Sequence, residues 1–147
     1  DNPLHQQRLE GARAAGRARG RLRQLSVVPG DFSVESGHAA ATALLAAASA
    51  PTAIFCFSDQ MALGTLAACR ELGVRVPEEL SIVGFDDLAS SRYLTPPLTT
   101  IRQPMREIGD RAVKLLLAII EGVDVPLQQT LDFSLMLRGS TASPGHR

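Results

Sequence analysis

The chain changes its hydrophobic period several times. TAIFCF at 52–57 and LSIVGF at 80–85 are apolar on both faces, the pattern of strands buried in a parallel sheet. LRQLSVV at 22–28 is a shorter β-rich run closed by Pro29-Gly30. Between these runs the period becomes helical. Residues 4–19 are rich in Ala, Leu, Arg and Gln, and Gly20 is placed to end that helix. Ala40, Ala43, Leu44 and Ala47 recur at helical spacing behind Ser33, which can cap them with Glu35 in the first turn. Ser58-Asp59 supplies the cap for a helix running to Leu72, and Gly73 stops it.

Two further elements follow. From Met105 to Ile120 the apolar positions 105, 108, 112, 115, 116 and 119 form one stripe, with Glu107–Arg111 and Asp110–Lys114 pairs opposite it. Val113, Leu117 and Ile120 widen that stripe beyond what one sheet contact needs, so this helix is expected to bury two faces. Gln129 to Leu137 alternates, with Leu131, Phe133, Leu135 and Leu137 on one side, and reads as a half-exposed strand at a sheet edge. Alternating strands and helices at this spacing predict an α/β domain whose mostly parallel sheet is flanked by helices on both faces.

Composition narrows the function classes. Fifteen basic and fifteen acidic residues cancel, so the overall field favours neither nucleic acid nor a membrane surface. The one local excess, Arg8, Arg13, Arg17, Arg19, Arg21 and Arg23, lacks interleaved aromatics and reads as a solvated helix face. Cys56 and Cys69 sit in apolar stretches without CxxC spacing, as core residues in a reducing, cytoplasmic compartment. The longest apolar run, near Leu115 to Ile120, falls far short of the ~20 residues of a membrane span.

Strand polarity points to a site. In an open parallel sheet, ligands bind beyond the carboxyl ends of the strands, where loops are free and helix N-termini present unpaired N–H groups. Phe32 follows the first strand, Ser58 and Asp59 the second, and Asp86 and Asp87 the third, while Arg8 lies where it would follow a strand preceding this chain. Asp86 would accept hydrogen bonds, Arg8 would donate a planar fork, Ser58 would do either and Phe32 would offer an apolar face, a set suited to a small polar ring. Each has a plainer alternative. Asp87 reads first as a turn carboxylate and Asp59 as a helix cap, Phe32 fills a core as readily as it lines a pocket, and Arg8 alone is surface charge.

Catalysis finds no support in the pattern. Adjacent carboxylates leaving a strand point apart rather than forming an acid and base pair. GxSxG, P-loop and GxGxxG motifs are absent, and His5, His38 and His146 are scattered, so neither an enzyme, a metal nor a cofactor is expected.

SDQMALGTLAACRELGVRVPEELSIVGFDD followed by SSRYLTPPLTTIRQP resembles the effector-binding domain of the LacI/GalR family of bacterial transcription regulators, and the similarity runs from about Arg8 to Thr141. In that family two periplasmic-binding-protein-like α/β lobes (type I) close over a small effector, and three crossovers join them. The resemblance implies that residues 1–102 belong to the C-terminal lobe, 103–122 cross to a helix of the N-terminal lobe, 123–138 return, and 139–147 form a polar tail. It implies that Arg8, in its RxxG pattern, and Asp86 contact the effector, that Phe32 stacks on it, that Ser58 stands at an effector-binding position where Asn is frequent, and that Met105 stands where an aromatic sometimes lines the cleft. It implies a sugar, glycoside or purine as effector and a homodimer using surfaces around the helix after Asp59 and the loop before Pro96. Operator DNA would be met only through a helix-turn-helix that this chain lacks, together with the hinge helix and most of the first lobe, leaving the apolar stripe of 105–120 exposed. A periplasmic solute receptor of a transporter shares the architecture; the unpaired cysteines and the PPLTTI block favour the regulator.

Overall fold

The computed structural model describes residues 3–143, so the end of the polar tail lies outside the described residues. In chain order it contains α1 (Pro3–Ala18), a 3-10 turn (Leu22–Gln24), α2 (Val34–Leu45), β1 (Ala53–Phe55), α3 (Asp59–Leu72), β2 (Ser81–Asp86), a second 3-10 turn (Ala89–Tyr93), β3 (Thr99–Arg102), α4 (Met105–Ile120) and β4 (Ser134–Met136). The sheet has the order β1-β2-β3-β4. β1, β2 and β3 run parallel, and β4 closes the edge antiparallel to β3.

Local chemistry accounts for the element ends. The Ser33 hydroxyl accepts from the N–H of Ser36, and the Ser58 hydroxyl from that of Met61, which caps α2 and α3. Gly73 takes the left-handed conformation at φ 72° that ends α3. One sheet face, carrying Ile82, packs on α3 to form a core of Cys56, Ala62, Cys69, Leu80, Ile82 and Leu98. Burying side chains such as these contributes about 1.5–3 kcal/mol for each large aliphatic residue. Both thiols are free and buried, and burial pushes that of Cys56 up to about 11. Just past the carboxyl end of β1, the ring of His5 from α1 lies edge-on to Phe57 at 5.2 Å.

α2 and α3 cross at glycines. A methyl group at Gly64 would collide with the carbonyl of Val34, and one at Gly37 with the backbone of Met61. The helices therefore approach backbone to backbone, and a 2.8 Å contact between His38 Nε2 and Glu71 Oε2 ties them at the surface.

Four expectations change. β1, read as a strand buried on both faces, is the edge of the sheet, with Ala53 and Phe55 exposed. Residues 22–28 do not form a strand: Leu22–Gln24 is a 3-10 turn, and Leu25 to Val28 carry no ladder partner. A strand needs a neighbour, and a cavity of about 880 Å³, walled by Leu25, Val27 and Val28 on one side and Ile54 and Phe55 on the other, separates this run from β1. The strand expected over 129–137 shrinks to Ser134–Met136, where β3 runs alongside, and leaves Phe133, Leu135 and Leu137 exposed. α4 buries neither face: none of its residues is buried, and Met105, Ile108, Val113, Leu116 and Ile120 are all exposed. No helix among the described residues is long and apolar enough to cross a membrane.

Candidate functional site

The carboxyl ends of β1, β2 and β3 open on one rim, and α1 lays Arg8 across it. The Arg8 guanidinium donates from Nη1 to the carbonyl of Phe57, just past β1. Its Nη2 stands 4.0 Å from Oδ1 of Asp86 at the end of β2, with side-chain exposures of 13% and 30%. The guanidinium carbon lies 3.8 Å from the centroid of Phe85 and 5.8 Å from that of Phe32. Arg8, Phe32 and Asp86 thus converge.

Phe32 reaches the rim through a strained turn. Its φ is 69°, unusual for a bulky aromatic, and its neighbours hold it there. Asp31 Oδ1 accepts from the N–H of Ser33 at 3.0 Å and from its hydroxyl at 2.5 Å, while the N–H of Asp31 donates to Ser36 Oγ at 3.2 Å. The bonds from Ser33, and then Ser36, bring the Asp31 carboxyl down to about 2. The Ser58 hydroxyl donates to the carbonyl of Phe32 at 3.3 Å.

Asp86 and Asp87 also have positive φ, at 117° and 53°. Their side chains diverge. Asp86 faces the rim, where Oδ1 accepts from Nε2 of Gln103 at 2.7 Å. Burial raises its pKa above the ordinary carboxylate value, with Arg8 and Gln103 opposing; burial likewise lowers that of Arg8, with Asp86 opposing. Two partly desolvated opposite charges 4.0 Å apart form a loose ion pair, and a polar group laid across them could accept from the guanidinium and donate to the carboxylate.

Ser58 and Asp59 are turned inward. Ser58 is 4% exposed, and its hydroxyl is engaged by Met61 N–H and Phe32 carbonyl. The Asp59 carboxylate, 3% exposed, accepts from Leu88 N–H at 2.8 Å and from the hydroxyls of Ser91 and Thr100 at 2.5 Å each. It ties the start of α3 to the loop after β2 and to β3. Met105 opens α4 with its side chain exposed. Gln103 and Phe85 were not anticipated. Applying the strand-end rule to the junction after β3 would have found Gln103, whereas nothing in the local sequence distinguishes Phe85 from a core aromatic.

This arrangement offers one donor fork, one carboxylate, one amide and two aromatic faces. Among the described residues no three His, Cys, Asp or Glu side chains are grouped to hold a metal.

Residues 1–141 match the periplasmic binding protein-like domain family. The chain belongs to that family, in its LacI/GalR branch. The HTH-type transcriptional repressor CytR of Escherichia coli K12 is 43% identical over 141 residues, which are 95% of this chain and 41% of the repressor. A dimeric Lac repressor with a C-terminal deletion superposes on this LacI/GalR chain with a TM-score of 0.87 at 35% identity, covering 97% of this chain and 52% of the other. A LacI family transcriptional regulator from Enterococcus faecium with bound ribose gives 0.80 at 33% identity, over 95% and 52% of the two chains. This chain spans 27% to 42% of the length of the curated relatives it matches.

Proposed function

We propose that this chain is the ligand-sensing portion of a LacI/GalR-type transcription regulator. A small polar ring lies across Arg8 and Asp86, is read by Gln103, and stacks against Phe32. The observation that carries this reading is the 4.0 Å separation of Arg8 and Asp86, both partly buried, at the common mouth of three parallel strands. A planar fork facing a carboxylate suits vicinal hydroxyls or the N–H and C=O edge of a base, so a sugar, a glycoside or a purine fits. The bound ribose of the Enterococcus faecium relative supports the sugar. Ser58 acts through Phe32 rather than on the ligand.

Residues up to 102 form the lobe carrying this mouth, α4 belongs to the facing lobe, and β4 is the return. The exposed stripe of α4 fits that division, since an apolar face of this width needs a partner. Effector binding then selects one lobe arrangement, and a change in dimer geometry alters operator affinity by linkage. The repressors among its relatives favour this over a transporter's solute receptor.

Calorimetry and thermal shift on the natural full-length protein, with D-ribose, D-galactose, methyl β-D-glucoside and hypoxanthine, test it. One class of ligand should raise the melting temperature by mass action, and Asp86→Ala should weaken its binding roughly a hundredfold, as loss of charge-assisted bonds would. Undiminished affinity in that variant overturns the site.

A further inference from the structure

Asp87 is the residue next to the ligand-facing carboxylate, yet it points the other way, into a cage of its own. Its side chain is 3% exposed. Oδ1 pairs with Nη2 of Arg138 at 2.5 Å and Oδ2 with Nε of Arg102 at 2.6 Å. Arg138 also donates to the carbonyl of Leu98 at 2.8 Å, and its N–H to Thr99 Oγ1 at 3.0 Å. The partners' positions give this cage its meaning. Arg102 is the last residue of β3, where the chain leaves the sheet for α4; Arg138 follows β4, by which the chain comes back. Arg102 stands in register with Asp86 on one side and Ser134 on the other.

We infer that Asp87, with Arg102 and Arg138, is a positioning clamp that fixes the outgoing and returning passages of the chain to the end of β2 and thereby sets the orientation of Asp86. Two consecutive non-glycine residues at positive φ persist only where the surroundings over-determine them. The two guanidinium pairs supply that constraint, because a buried carboxylate cannot leave its partners without an uncompensated charge. Since Gln103 follows Arg102 directly and bonds Asp86, the clamp also registers the third strand end with the second. Movement of α4 relative to the sheet must pass through these two passages, so the clamp is where such movement meets the ligand carboxylate.

Hydrogen exchange on the natural full-length protein reads this without any ligand. Asp87→Asn should speed exchange of amides in 100–104 and 134–138 by roughly tenfold or more, while amides of α3 and of 81–84 keep their protection. Arg102→Gln, at a half-exposed side chain, removes one arm only and should loosen the same segments less; it decides the matter if Asp87→Asn fails to fold. Unchanged exchange in those segments, or a uniform rise through α3, overturns the clamp. Only the second measurement rests on the effector reading above: whichever of D-ribose, D-galactose, methyl β-D-glucoside or hypoxanthine binds the parent protein should bind Asp87→Asn about tenfold more weakly. Equal affinity despite local loosening refutes the link to Asp86. If none of the four binds the parent, the effector reading falls while the exchange result still settles the clamp.

Discussion

The guanidinium of Arg8 rests over the ring of Phe85, 3.8 Å from its centroid, and Phe85 is the residue immediately before Asp86. One strand end therefore supplies Arg8 with both an aromatic face and a counter-charge. The aromatic face needs a planar cation, and lysine carries a compact, strongly hydrated one. Arg8→Lys should keep the charge near Asp86 yet lower effector affinity about tenfold, with little change in the urea midpoint. Calorimetry on the variant checks this, and parent-like affinity would show that charge alone is what Arg8 contributes.

Ser58 and Asp59 are expected to act on stability. Ser58→Ala removes the cap of α3 and should cost about 1 kcal/mol, with a smaller loss of affinity through Phe32. Asp59→Ala leaves the N–H of Leu88 and two buried hydroxyls without their acceptor and should cost about 3 kcal/mol or more. Urea denaturation measures both. A variant at residue 59 that folds as stably as the parent but no longer binds would make Asp59 a ligand contact instead.

Two glycine substitutions should move stability in opposite directions. Gly64→Ala drives a methyl group into the backbone of α2 and should destabilise by about 2 kcal/mol or more. Gly109→Ala, in α4 with open space around it, should stabilise by about 0.5–1 kcal/mol. Thermal and urea unfolding of the pair separate helix crossing from helix propensity.

Stability should depend on pH through the two adjacent carboxylates with opposite signs. Burial pushes the Asp87 carboxyl up, but Arg138 and then Arg102 outweigh it and hold it below the ordinary value of about 3.9. Its contribution is thus present above that ordinary value and lost as pH falls through the lower folded one. For Asp86, raised by burial, the contribution is fully present below the ordinary value and lost as pH rises through the folded one. Urea midpoints from pH 7 downward should show Asp87→Asn weaker than the parent at neutrality and converging with it in acid. Asp86→Asn should show no such convergence from below. Parallel curves for the parent and Asp87→Asn would contradict the sign.

Much of the fold is legible in the amino-acid order because helix period, strand pattern and capping depend on near neighbours. The strands within the apolar runs at 52–57 and 80–85, the caps at Ser33 and Ser58 and the stop at Gly73 all follow from residues within a few positions, although β1 lies at the sheet edge with Ala53 and Phe55 exposed. The end of the second of these strands already marks Asp86 at the mouth, whereas Phe32 reaches it although the strand expected before it does not form, and Arg8 reaches it from α1. What tertiary structure alone decided is which polar groups are spent inside and which remain at the surface of that mouth. Asp86 and Asp87 are identical neighbours, yet one faces the rim and the other is claimed by Arg102 and Arg138, 15 and 51 residues away. Leu25 to Val28 has the composition of a strand but no neighbour to pair with. Hydrogen bonds and ladders of this kind join residues far apart along the chain, so their partners are settled only when the chain has folded.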